Sequence, residues 1–205
     1  MKHPIRALPL ALIVAAGPVF AQDTTEETPV PDPMELNMGV DAANEDGPGS
    51  VYTHSEHGDW QVRCIRTEAG NDPCQLYQLL EDGNGNPVSE INVFPITDDA
   101  VEAAAGATVV TPLETLLTAQ LSFQIDSAQP KQYPFAWCSQ IGCFARLGFS
   151  DADVEGLKAG NEAKIMIRPV AAPDQMVTLP VSLTGFTAAF DETAEMNAAA
   201  ATATE

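Results

Sequence analysis

The histidines that follow the first few residues are His54 and His57, and they lie beside Glu56 and Asp59. Two imidazoles at i and i+3 with two carboxylates suit zinc or nickel if the segment turns helical, and an imidazole there would serve as a general base. Gly58 and the polar residues around it favour an exposed, solvated loop instead, and no metal or cofactor is expected. A hydroxyl nucleophile needs a base held within hydrogen-bond reach, whereas both imidazoles fall in one short stretch. The chain has no Gly-x-Ser-x-Gly elbow and no glycine-rich loop ending in Lys-Ser or Lys-Thr. The acidic pairs Asp98-Asp99 and Asp151 with Asp153 read as helix starts, where a carboxylate meets the positive end of the dipole, rather than as a glycosidase pair. The expectation is a protein that is not an enzyme.

Cysteine chemistry is the next candidate. Cys64 and Cys74 form one local pair, Cys138 and Cys143 another. Neither has the Cys-x-x-Cys spacing of a thioredoxin-type motif or a zinc knuckle. Structural disulfides are therefore expected, within each local pair, although three connectivities are formally possible. Each span carries glycine that lets the chain reverse, and facing positions on antiparallel strands lie within disulfide range.

Five aromatic residues surround the second pair: Tyr133, Phe135, Trp137, Phe144 and Phe149. Their expected place is the core beside the disulfide. The functional alternative is an apolar patch for a partner protein or a lipid-like ligand, and exposure decides between the two.

Short β segments separated by turn residues must position these side chains. Trp60 to Cys64 alternates, with Trp60, Val62 and Cys64 on one face. Cys74 to Leu80 and Ser89 to Phe94 continue a three-stranded meander across the turn Asp82-Gly83-Asn84-Gly85-Asn86-Pro87. Further strands are expected at Thr108 to Thr111, Leu121 to Ile125, Gln132 to Trp137, Cys143 to Phe149, Ala163 to Arg168 and Met176 to Leu183. Pro112, Pro134, Pro169 and Pro180 push several of them toward edges or bulges. Ser150, Asp153 and Gly160 bracket one helix, and Asp98 to Ala105 suggests a second helical turn. The fold class is all-β: an antiparallel sandwich with one or two short helices.

The ends of the chain set the compartment. Lys2, His3 and Arg6 lead into an apolar run from Ala7 to Phe20 that closes on Val19-Phe20-Ala21, so residues 1–21 read as a signal peptide. That run is too short to span a bilayer, and no membrane-spanning segment is expected after cleavage. Residues 22–50 read as a disordered acidic leader, 51–190 as the folded domain, and 191–205 as a disordered alanine-rich tail with no face to dock. A net charge of −20 repels nucleic acid and anionic headgroups. A periplasmic, secreted or cell-surface protein is expected, with an oxidising environment that favours disulfides.

Four motifs occur in order: Gly58-Asp59-Trp60-Gln61-Val62-Arg63-Cys64, Cys74-Gln75, Pro134-Phe135-Ala136-Trp137-Cys138 running through Gly142-Cys143-Phe144-Ala145, and Leu183-Thr184-Gly185-Phe186-Thr187-Ala188-Ala189-Phe190. In order and character they resemble the invasion-associated locus B family over about Asp59 to Phe190. The resemblance implies an immunoglobulin-like β-sandwich, export, and no known catalytic residues. It departs before Leu121, where Thr118-Ala119-Gln120 stands in place of a Pro-Gly type turn. The expected function is a non-enzymatic envelope or surface protein that binds an unidentified envelope or host protein. The alternative is a periplasmic accessory or chaperone-like factor that takes extended segments along a sheet edge.

Overall fold

The computed structural model describes residues 46–97 and 101–202. The expected signal peptide, most of the expected leader and residues 98–100 lie outside the described residues. The last leader residues belong with the domain, since Gly49 donates to the Arg66 carbonyl and Arg66 donates to that of Ser50.

The strands run β1 (Val51–His57), β2 (Trp60–Ile65), β3 (Cys74–Glu81), β4 (Pro87–Pro95), β5 (Ala105–Thr111), β6 (Leu121–Ile125), β7 (Lys131–Tyr133), β8 (Phe135–Ser139), β9 (Gly142–Phe149), β10 (Glu162–Ile167) and β11 (Val177–Ser182). Helix α1 (Asp151–Ala159) precedes β10, and α2 (Phe186–Thr202) follows β11. The strands form two antiparallel sheets: seven strands in the order β1-β2-β3-β4-β5-β9-β8, and four in the order β11-β10-β6-β7. Pro134 divides the one strand expected over Gln132 to Trp137 into β7 and β8, which enter different sheets, because its ring carries no ladder donor.

Alternation fixes which face is buried. On the large sheet Trp60, Val62, Leu76, Leu80, Ile91, Val93, Val109 and Leu147 point inward, against Leu121, Phe123, Ile165, Leu179 and Val181 from the small sheet. The β3–β4 turn is organised by Asp82, whose carboxylate accepts from the backbone N–H groups of Asn86 and Asn84 and from the Asn86 side chain. Those donors, the Asn86 backbone first, lower its pKa to about 2. Helix α1 starts as its residues dictate: Ser150 and Asp153 exchange side-chain and backbone hydrogen bonds in a capping box, and the helix stops at Gly160.

Two expectations at the ends of elements are corrected. Residues 101–104 are not helical and Ala105 already belongs to β5, where pairing with Leu147 to Phe149 outweighs the weak local signal. The expected tail from Asp191 continues α2 to Thr202. Phe186, Ala189, Phe190, Thr193 and Met196 form a stripe at helical spacing that packs over the inner face of β1–β4. Asn197 then clamps the Cys74 peptide: its Oδ1 accepts from the Cys74 N–H and its Nδ2 donates to the Cys74 carbonyl, both at 2.9 Å.

Candidate functional site

The histidine cluster takes a form that helical or loop geometry does not give. Val51–His57 is an edge strand rather than a loop, and its register with β2 shifts between Thr53 and Ser55, so His54 is the extra residue of a β-bulge. On a regular strand, residues three apart point to opposite faces. Here the bulge turns His54, Ser55 and His57 all toward α2. His57 Nε2 lies 2.7 Å from Glu192 Oε2, the Ser55 hydroxyl donates to the same oxygen, and His54 Nε2 lies 3.8 Å from Oε1. The Ser55 hydroxyl, then His57, hold the Glu192 carboxyl below its usual pKa.

Serine, histidine and glutamate together invite comparison with a triad, but the roles do not match. A triad needs the base to take the serine proton through one ring nitrogen while the acid holds the other. Here the serine proton goes to the carboxylate, and His57 meets that same oxygen through Nε2. The arrangement can hold α2 against β1; it does not activate a nucleophile. Glu56 and Asp59 take no part, since Glu56 accepts from Gln61 on the opposite face and Asp59 accepts from the Ser182 hydroxyl. Among the described residues no group of three or more His, Cys, Asp or Glu is arranged to hold a metal ion.

The sequence motifs around Trp60 and Phe186 meet in space. Trp60 Nε1 donates 2.8 Å to the Ser182 carbonyl, the Asp59 N–H donates to Thr184, and the Trp60 and Phe186 rings pack edge-on with centroids 5.4 Å apart. Gly58 and Gly185, both with positive φ, bring the β1–β2 turn against the β11–α2 junction. A side chain at Gly185 would run into the His57 carbonyl. These motifs therefore encode a backbone contact between distant segments, not a reactive site.

Both expected disulfides, Cys64–Cys74 and Cys138–Cys143, are present as cross-strand pairs with Cα atoms 4.1 and 4.0 Å apart.

The five aromatics divide. Phe149 is buried against Phe123, and Tyr133 and Phe135 are partly buried against the core, where burial raises the Tyr133 phenol. Trp137 and Phe144 depart from the core expectation: they face outward and stack with ring centroids 5.0 Å apart, and Trp137 is 49% exposed. A second bulge explains it. Phe135 pairs with Ala145 and Trp137 with Phe144, leaving Ala136 extra, so Trp137 flips to the face opposite Phe135.

On that outer face the strand register lines up Leu79, Glu90, Val110, Phe144 and Trp137 across five strands. Beside the row runs a shallow groove of ≈ 290 Å³ rimmed by Pro87, Pro112 and Ile141, the last 77% exposed at the tip of the β8–β9 hairpin. Sequence reasoning did not assign Leu79, Val110 or Ile141, since only the register across β3, β4, β5 and β9 brings them beside the aromatics.

The four sheet edges differ in how open they are. On β11, Pro180 offers no N–H, and the outward N–H and carbonyl of Ser182 are taken by Gln78. β7 has three residues and β1 is bulged. On β8 the close approach of Cys138 and Cys143 marks a non-hydrogen-bonded pair, which directs the Cys138 N–H and carbonyl to the open edge. No helix among the described residues is long and apolar enough to cross a membrane.

A family model described as "Invasion associated locus B (IalB) protein" matches residues 60–194. An invasion protein B homolog of Brucella abortus (strain 2308) is 26% identical over 146 residues, covering 70% of this chain and 81% of the relative. A homolog from Brucella abortus biovar 1 (strain 9-941) matches to the same extent. Among solved structures, the crystal structure of invasion associated protein B from Bartonella henselae superposes with a TM-score of 0.55 at 18% identity, covering 69% of this chain and 96% of that one.

Proposed function

Since the chain belongs to the invasion associated locus B family, we propose that it is an exported, non-enzymatic interaction module of the bacterial envelope or surface that docks a protein partner on the outer face of its large sheet. The observation that carries this reading is the outward row ending in the Trp137–Phe144 stack, apolar except for Glu90, with half-exposed Leu79 and Trp137 and prominent Ile141. Half-exposed aromatics on a rigid strand supply contact area at little cost in side-chain entropy, the usual property of interface anchors. Export is supported by the signal-like first 21 residues and by two disulfides, which persist outside the reducing cytoplasm.

A second reading, capture of an extended segment by strand addition, is favoured at one place. The open Cys138 backbone on β8 adjoins the same aromatics, so a strand added there would set a side chain over Trp137. Both readings locate the partner on the β8–β9 hairpin. The test compares the parent with a Trp137→Ala, Ile141→Asp double variant in pull-downs from envelope extract, with circular dichroism to verify the fold. Partners retained by the parent should drop by about tenfold, the loss expected for an interface anchor. Equal recovery by a folded variant would remove the row as the docking site.

A further inference from the structure

The two disulfides are not equivalent. Cys64 and Cys74 are 0% and 4% exposed, they join strands inside the seven-stranded sheet, and the Asn197 clamp closes over the Cys74 peptide. Cys138 lies on an edge strand in which every residue from Ala136 to Ser139 is exposed, two residues before the turn that projects Ile141. Its partner Cys143 is only 2% exposed. One sulfur-bearing residue of this pair therefore meets solvent from an open edge while the other is covered.

We infer that Cys138–Cys143 is a thiol-exchange site for a low-molecular-weight thiol of the glutathione type, and that Cys64–Cys74 is a shielded structural bond. Exchange proceeds by in-line attack of a thiolate on one disulfide sulfur, and access decides which bond and which sulfur react. The incoming thiolate attacks Sγ of Cys138. A bond forms between the external sulfur and Cys138, the Cys138–Cys143 bond breaks, and its electron pair leaves on Cys143, which takes up a proton. A second thiol attacks the external sulfur of the mixed disulfide and releases Cys138 as a thiol. Two external thiols are thereby oxidised to one disulfide while the protein bond is reduced to two thiols. The first step leaves a glutathionyl group on β8 at the open sheet edge, on the face opposite Trp137. This inference rests on the exposure of the cysteines and is independent of whether a partner docks on the aromatic row.

The test titrates the oxidised full chain with reduced glutathione under native conditions, quenches by alkylation, and assigns each cysteine by peptide fragmentation. Cys138 and Cys143 should open at about a tenfold lower thiol concentration than Cys64 and Cys74, with the glutathione adduct on Cys138, as exchange at the accessible bond requires. Circular dichroism at each concentration should show the fold intact at the first opening. Opening of both pairs together, prior opening of Cys64–Cys74, an adduct confined to Cys143, or no opening before the chain unfolds would each overturn the inference.

Discussion

The carboxamide of Gln78 holds the backbone of Ser182 at both ends. Its Nε2 donates 3.0 Å to the Ser182 carbonyl and its Oε1 accepts from the Ser182 N–H at 2.9 Å, so a side chain on β3 occupies the place of a neighbouring strand along β11. Gln78 is 7% exposed and also donates to the Asp59 carbonyl. Replacing it by Met keeps the volume but leaves the Ser182 N–H and the Asp59 carbonyl short of a partner. An orphaned group costs about 1–3 kcal/mol when buried and less when partly solvated; with Ser182 half-buried and Asp59 exposed, Gln78→Met should lower unfolding free energy by roughly 1–2 kcal/mol in urea melts. A loss below about 0.5 kcal/mol would show that water or a shifted neighbour takes over the bonds.

Gln120 has φ 59° and ψ 166°, a region that glycine alone enters without strain. It stands where the family resemblance calls for a Pro-Gly type turn. Gln120→Gly should therefore stabilise the protein by about 1 kcal/mol, the relief of strain outweighing the extra freedom glycine gives the unfolded chain. A lower melting temperature in the variant would contradict that account of the turn.

Glu192 links α2 to β1, and its pKa is lowered in the fold. For a depressed carboxyl, the stabilisation is fully present above the unfolded value of about 4.3 and is lost as pH falls through the lower folded value. Glu192→Gln should cost about 1 kcal/mol or less near neutral pH, since the pair is partly solvated, and the difference from the parent should fade as pH falls through the lowered folded value. Denaturant melts at several pH values measure it. A gap that widened as pH fell below the unfolded carboxyl value of about 4.3 would have the wrong sign.

Removal of residues 191–205 should do more than trim a tail. It takes away Thr193 and Met196 from the core-facing stripe and the Asn197 clamp, leaving the Cys74 peptide groups without those partners. A loss of roughly 2–4 kcal/mol is expected from one buried backbone pair plus exposed apolar surface. Thermal unfolding of the truncated chain measures it, and an unchanged midpoint would mean that α2 beyond Phe190 contributes nothing.

Each disulfide closes a short loop, ten and five residues apart in sequence. Chain-entropy arguments then assign each bond about 2–3 kcal/mol. The double replacement of Cys138 and Cys143 by Ala should lower the melting temperature yet leave a folded sandwich, because the strands on either side remain paired through their backbones. Loss of the far-ultraviolet β signal in that variant would show that the hairpin depends on its cross-link.

The sequence by itself determined the strands whose alternation is strong, the capping box of α1, the two local cysteine pairs and the family. Periodicity in Trp60 to Cys64 and the short range of Ser150 to Asp153 are local signals, complete within a few residues. Tertiary structure decided the rest. Val51–His57 is too polar to announce a strand; it becomes one because β2 offers it a free ladder. The apolar stripe of α2 straddles Phe190, and its small members Ala189 and Thr193 bury fully only because a sheet lies beneath them. The extra residues His54 and Ala136 mattered most. A one-residue bulge leaves no mark in the hydrophobic pattern, yet it inverts every later side chain relative to the partner strand. One bulge gathers His54, Ser55 and His57 on Glu192, and the other turns Trp137 from the core to the surface, so the two candidate sites depend on pairing register and not on residue spacing.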